Sequence, residues 1–118
     1  MVDLHQQLRE RSKQFAVRIV RLSNHLPKTR EGDVLARQLL RSGTSVAANY
    51  RAAGRSRSRA DFISKISIAV EEADETVFWL ELLHESGLVN SNRLEPLILE
   101  AKELLAIFSA SRRTAKAD

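Results

Sequence analysis

Apolar residues recur at intervals of three and four along most of the chain, and no stretch of useful length alternates as a half-buried strand would. A first stripe of Leu4, Leu8, Phe15, Ile19, Leu22 and Leu26 is ended by Pro27. A second runs from about Asp33 through Leu35, Leu39, Ser42, Val46, Asn49 and Ala53, with Gly54 as a natural stop. Ser58 can cap a third, with Asp61 completing a capping box. Phe62, Ile66, Ala69, Ala73, Val77, Leu80 and Leu83 then carry it to Gly87. After S-G-L-V-N-S-N the fourth uses Leu94, Leu97, Ile98, Ala101, Leu105 and Phe108, and places Pro96 in the first turn, where proline is tolerated. The closing S-R-R-T-A-K-A-D is expected to fray. The pattern predicts one all-α domain with helices at about 3–26, 33–53, 58–87 and 92–112. Four helices joined by short connections make an antiparallel up-down four-helix bundle.

The third helix, about thirty residues and roughly 45 Å long, carries more apolar surface than one seam needs. Ile63, Val70, Phe78 and Trp79 lie beside its main stripe. Burial on two sides, inside the bundle and against another subunit, accounts for that width, as would a central place for the helix in the monomer. On the first, preferred reading these four residues are the expected homo-oligomer interface. Asn49 sits on the apolar stripe of the second helix among Ser42, Gly43, Val46 and Ala47. A polar residue on such a seam can fix register or oligomer state, so a structural role is expected of it.

The length of 118 residues suits a single hydrophobic core. Absence of cysteine excludes disulfides and thiolate chemistry and fits a reducing compartment. The N-terminal M-V-D-L-H-Q-Q-L-R-E-R lacks a signal-peptide core, and no stretch has the roughly 18 uncharged residues of a membrane span, so a cytoplasmic location is expected.

Charge changes the picture more. Residues 1–59 hold thirteen Lys/Arg against four Asp/Glu, whereas residues 60–118 hold six against eleven. On the first helix, Arg11, Gln14, Arg18, Arg21, His25 and Lys28 form a face without an acid, and on the second so do Arg37, Arg41, Thr44, Ala48, Arg51 and Arg55. Arg57 and Arg59 extend the latter into the next connection. Such stripes can track a phosphate backbone with guanidinium forks. They can equally meet an acidic face of a neighbouring subunit, Glu71, Asp74, Glu81 and Glu85 around Phe78, or simply face solvent. The expected nucleic-acid-binding set is Arg11, Arg18, Arg21, Arg37, Arg41, Arg51, Arg55, Arg57 and Arg59. Tyr50 is the only aromatic near it, so no stacking platform for single strands is visible.

Catalytic patterns are missing. Glu81 and His84 match the Glu-x-x-His element of di-iron bundles, but neither His5 nor His25 follows a glutamate at the same spacing. No G-x-S-x-G elbow and no G-x-x-x-x-G-K-[ST] loop occurs. The expectation is a protein without catalytic residues, metal or cofactor.

Two stretches carry a resemblance. L-A-R-Q-L-L-R-S-G-T-S-V-A-A-N (35–49) and D-F-I-S-K-I-S-I-A-V-E-E-A-D-E-T-V-F-W-L-E-L-L-H-E-S-G-L-V (61–89) resemble the bacterial four-helix-bundle proteins encoded in intervening sequences of 23S rRNA genes. The likeness includes Leu26–Pro27, the Q-L-x-R-S-x-x-S core, the asparagine and the E-x-x-x-x-L-E-L-x-x-x-x-G-L ending. It implies an up-down bundle assembling as a ring-like homopentamer. A related branch, the accessory variability determinant protein of diversity-generating retroelements, implies a basic pentamer that binds nucleic acid beside a polymerase-type partner, a reverse transcriptase. Many members read N-I-A-E-G where this chain reads N-Y-R-A-A, so Ala52 replaces the glutamate and Arg51 makes the corner more basic.

Overall fold

Four helices, α1 (Leu4–Asn24), α2 (Arg30–Ala53), α3 (Arg59–Ser86) and α4 (Ser91–Ala117), make up the fold in a computed structural model that describes residues 3–117. No strand occurs among these residues. Each helix starts where a short polar side chain accepts an N–H that the first turn leaves unpaired. Asp3 accepts from the His5 amide at 3.0 Å, Thr29 from Gly32 at 3.1 Å, Ser58 from Asp61 at 3.0 Å and Asn90 from Asn92 at 2.8 Å. The Asp61 carboxylate accepts from the Arg57 amide behind it at 3.4 Å and from the Lys65 ammonium one turn ahead at 3.0 Å. The Lys65 hydrogen bond, ahead of the Arg57 amide, holds the Asp61 carboxyl below its usual range.

Three expectations about helix ends change. α2 begins at Arg30, not Asp33, because Thr29 caps it and Glu31 and Asp33 favour the positive end of the helix; the apolar stripe starts a turn later. α4 starts at Ser91, which places Pro96 past the first turn. It continues to Ala117, beyond the expected end near residue 112, while Asp118 of the stretch expected to fray lies outside the described residues. Half-buried Ser111 and Ala115 explain the extension, since they line a groove with His5 of α1 and Phe62 of α3. α2 does stop at Gly54, but with φ −65°. Among the described residues the left-handed conformation that suits glycine is used only at Gly87, with φ 74°.

Helix α1 packs on α2, α2 on α3 and α3 on α4, while α1 meets α4 along a narrower edge. Their directions alternate. His5, near the start of α1, bonds Tyr50 near the end of α2 across 3.2 Å. At the centre of the second pair, Thr76 of α3 donates to the Ser42 hydroxyl of α2 at 3.0 Å. The end of α1 lies beside the start of α4, where Leu22 and Leu97 share a groove. This is the alternation that an up-down bundle requires.

Phe15, Ile19, Leu39, Val46, Ile66, Leu80, Leu83, Leu94, Leu104 and Phe108 fill one core. The rings of Tyr50 and Phe108 stack across it at 4.6 Å and 10°. Burial raises the Tyr50 phenol above its usual 10.0. The folded protein therefore holds this proton more tightly than the unfolded chain, a contribution complete below pH 10 and lost as pH rises through the folded value. Urea unfolding across that range should show alkaline destabilisation that Tyr50→Phe removes. Equal loss in both proteins would assign it to another group. The chain has one tyrosine, so its phenolate absorbance reports this titration directly.

Candidate nucleic-acid interface

The outer groove between α1 and α2 gathers cations from both helices. At one end Arg9 and Lys13 of α1 face Arg51 of α2 and Arg55 just past its end over a floor of Ala47 and Ala48, enclosing about 540 Å³ with Glu10 as the one acid. At the other, Arg21 and Lys28 face Arg37 in a space of about 640 Å³ with Asp33 as the one acid. The small floor residues follow from the spacing of α2, where Thr44, Ala48 and Arg51 share a face. All seven cations are exposed, and none has an ion-pair partner among the described residues. Beside this groove, Arg18 and Arg21 of α1 and His25 at its C-terminal cap adjoin Arg93 of α4 with no acid among them.

The nine arginines expected from sequence do not form one surface. Arg18, Arg21, Arg37, Arg51, Arg55 and Arg57 are exposed on α1, α2 and the following corner, and Arg59 is exposed at the start of α3. Arg11 and Arg41 are engaged inside the protomer. Arg11 grips Glu100 of α4 with two hydrogen bonds of 2.7 Å and lies 3.2 Å from Glu103. These hydrogen bonds hold its guanidinium above the usual arginine range despite partial burial, with the charges of Glu100 and Glu103 adding to them. Arg41 pairs with Glu72 of α3 at 3.3 Å and with Glu75, which also accepts from the Trp79 indole at 3.0 Å. Both faces are free of acids on their own helix, but the neighbouring helix supplies them. Arg9, Lys13 and Arg93 join the basic surface without having been expected there, whereas Lys28 was expected on the basic face of the first helix. The four-residue spacing of Arg9 and Lys13, shared with Arg51 and Arg55, was the available signal.

The expected oligomer residues also separate. Val70 is 8% exposed and belongs to the protomer core, which corrects its assignment to a subunit interface: the main stripe is wide enough to include it. Ile63 and Trp79 are half-buried. Phe78 is 54% exposed and packs edge-on against Trp79 at 4.9 Å. Exposed Ile68 and Leu82 share its side of α3 with Glu71, Asp74 and Glu85. Those three acids have no ion-pair partner among the described residues, whereas Glu81 of the expected acidic face lies 3.5 Å from Lys102. Asn49 is half-buried, and its amide donates to the Ser45 carbonyl of its own helix at 2.9 Å. The buried polar contact between helices is instead Ser42 with Thr76.

His84 is half-buried. Among the described residues no group of three or more His, Asp or Glu side chains is placed to hold a metal ion. No helix there is long and apolar enough to cross a membrane.

Comparison with curated proteins gives no match. A crystal structure of a protein of unknown function from the S23 ribosomal protein family of Bacteroides thetaiotaomicron VPI-5482 is similar, with 39% identity and a TM-score of 0.83. The similarity covers 89% of this chain and 97% of that one. The family model for the 23S rRNA-intervening sequence protein matches residues 5–110, which reach into all four helices. With its helices, core motifs and solved relative in agreement, the chain belongs to the 23S rRNA-intervening sequence protein family.

Proposed function

We propose that this chain is a non-catalytic, self-associating protein that binds the backbone of RNA or DNA without strong sequence preference. The observation that carries the reading is the outer α1–α2 groove, where exposed cations from two helices converge with a single acid at each end. Cations held close together without ion-pair partners repel one another, and a polyanion relieves that repulsion. A ring-like homopentamer would present several grooves at once and strengthen weak binding by avidity, provided one nucleic acid reaches more than one copy. In that setting the protein would act in the cytoplasm as an accessory to a nucleic-acid-processing partner of the polymerase type.

The test is fluorescence anisotropy of labelled RNA and DNA against salt concentration, using nuclease-treated protein. Binding should weaken steeply with salt. Replacing Arg9, Lys13, Arg51 and Arg55 together by Ala should flatten the log–log slope by roughly 3–4, about 0.9 for each phosphate that is no longer neutralised. No binding at about 50 mM salt by an intact oligomer would sink the proposal.

Exposed Phe78 among Glu71, Asp74 and Glu85 favours a second reading, a self-assembling scaffold whose acidic α3 face meets the basic face of the next copy. Sedimentation separates the two. Pairing of the faces makes assembly itself salt-sensitive and closes the groove to nucleic acid.

A further inference from the structure

We infer that the outer α1–α2 groove takes double-helical nucleic acid in preference to single strands, an inference that rests on the backbone-binding reading above. Sequence-tolerant single-strand sites combine a basic track with aromatic side chains on which the bases stack. This groove has the track and lacks the platform. Tyr50, the only aromatic on α2, is 3% exposed, stacked on Phe108 inside the core and hydrogen-bonded to His5. Phe15, the only aromatic of α1, is 2% exposed. Phe78, 54% exposed, is the one exposed aromatic among the six of the chain, and it stands on α3 among acids. Unpaired bases brought to the groove would find alanine, valine and leucine side chains and no ring.

The spacing of the cations points the same way. Arg9 and Arg21 are twelve residues apart on α1, about 18 Å along the helix axis. A duplex rises about 3.4 Å per base pair along its axis, so the groove spans roughly five base pairs, a length over which phosphates of both strands come to one side. A duplex holds those phosphates in place before binding. A single strand must be ordered to present them, and it has no stacking partner to offset its reduced freedom. The duplex also carries the denser charge and returns more counterions for each phosphate neutralised.

The experiment is anisotropy with a labelled duplex of about 20 base pairs and with each of its strands alone, at equal salt, with DNA and RNA as separate arms. Strand sequences without self-complementarity keep the single strands unpaired. The expected result is about tenfold or tighter binding of at least one duplex over its strands, abolished when Arg9, Lys13, Arg51 and Arg55 are replaced by Ala. The arm that shows it identifies the source of the double helix. Equal or tighter binding of single strands overturns the inference while leaving backbone binding intact, and so does single-strand binding that Phe78→Ala removes. Duplex preference that survives the four substitutions, with circular dichroism confirming the fold, overturns the assignment to this groove. Failure to bind any of these probes overturns this inference and the proposed function together.

Discussion

Phe108→Ala is expected to lower the unfolding free energy by about 3–5 kcal/mol, the range for a large aromatic truncated in a closed core. Phe108 is fully buried near the end of α4 and stacks on Tyr50 of α2, a helix that α4 does not otherwise approach closely. Its truncation removes apolar burial, leaves a cavity and takes away the one ring stacking across that diagonal. Tyr50 then keeps its hydroxyl bond to His5 but loses the surface that holds its ring. Against a total stability of about 5–15 kcal/mol, this is a large fraction, and Tm should fall on the order of 10–25 °C. Phe78→Ala is the matched control, the same chemistry at a site 54% exposed. It should stay within about 0.5 kcal/mol in a protomer. Chemical unfolding of the two variants side by side checks the contrast, and comparable losses would mean that the core is misassigned.

A second large effect is expected from the smallest possible change, Gly32→Ala. Gly32 is buried in the first turn of α2, and its amide donates to the Thr29 hydroxyl that caps the helix. A Cβ there would lie 2.0 Å from the Pro27 carbonyl oxygen and 3.2 Å from Thr29 Oγ1. The obstacle is backbone, so no rotamer change relieves it; either the cap opens or the α1–α2 connection moves. Overpacking costs about 1–3 kcal/mol and removal of a cap about 0.5–2, while alanine returns about 1 through helix propensity. A net loss of about 2 kcal/mol follows. Gly54→Ala provides the comparison. Its backbone is right-handed and the nearest atom to a new Cβ is at 3.5 Å, an ordinary van der Waals separation. That substitution should be neutral or stabilise by up to about 1 kcal/mol. Thermal unfolding of both variants decides it, and a stable Gly32→Ala would show that the turn accommodates a methyl group.

Much of the fold was legible because a helix is a local object. Spacing of three and four places Leu8, Phe15, Ile19 and Leu22 on one side of α1 whatever surrounds it, and the same holds for Ile66, Ala69, Ala73 and Leu80 of α3. Caps at Ser58 and the turn at Gly87 are equally local. The ends that shifted were those where the decisive neighbour came from elsewhere. α4 runs on to Ala117 beside His5 and Phe62, which are remote in sequence.

The candidate site was legible only in part, for the same reason. Its sign and its two helices follow from the arginines of α1 and α2. Which cations are available does not. Arg11 and Arg41 looked identical in kind to Arg18 and Arg51, and only the approach of Glu100 and Glu72 distinguishes them. Arg9 and Lys13 take their place because α1 lies against α2 in a register that sets them opposite Arg51 and Arg55.

What the chain determines by itself is therefore four amphipathic helices, their order, their short connections and a basic first half against an acidic second. The tertiary structure decided which charges are neutralised, which apolar residues of α3 belong to the core and where Tyr50 points. Helical periodicity acts between residues three or four apart along one chain. Ion pairing and burial depend on what stands within a few ångströms in space, and four helices must pack before that is defined.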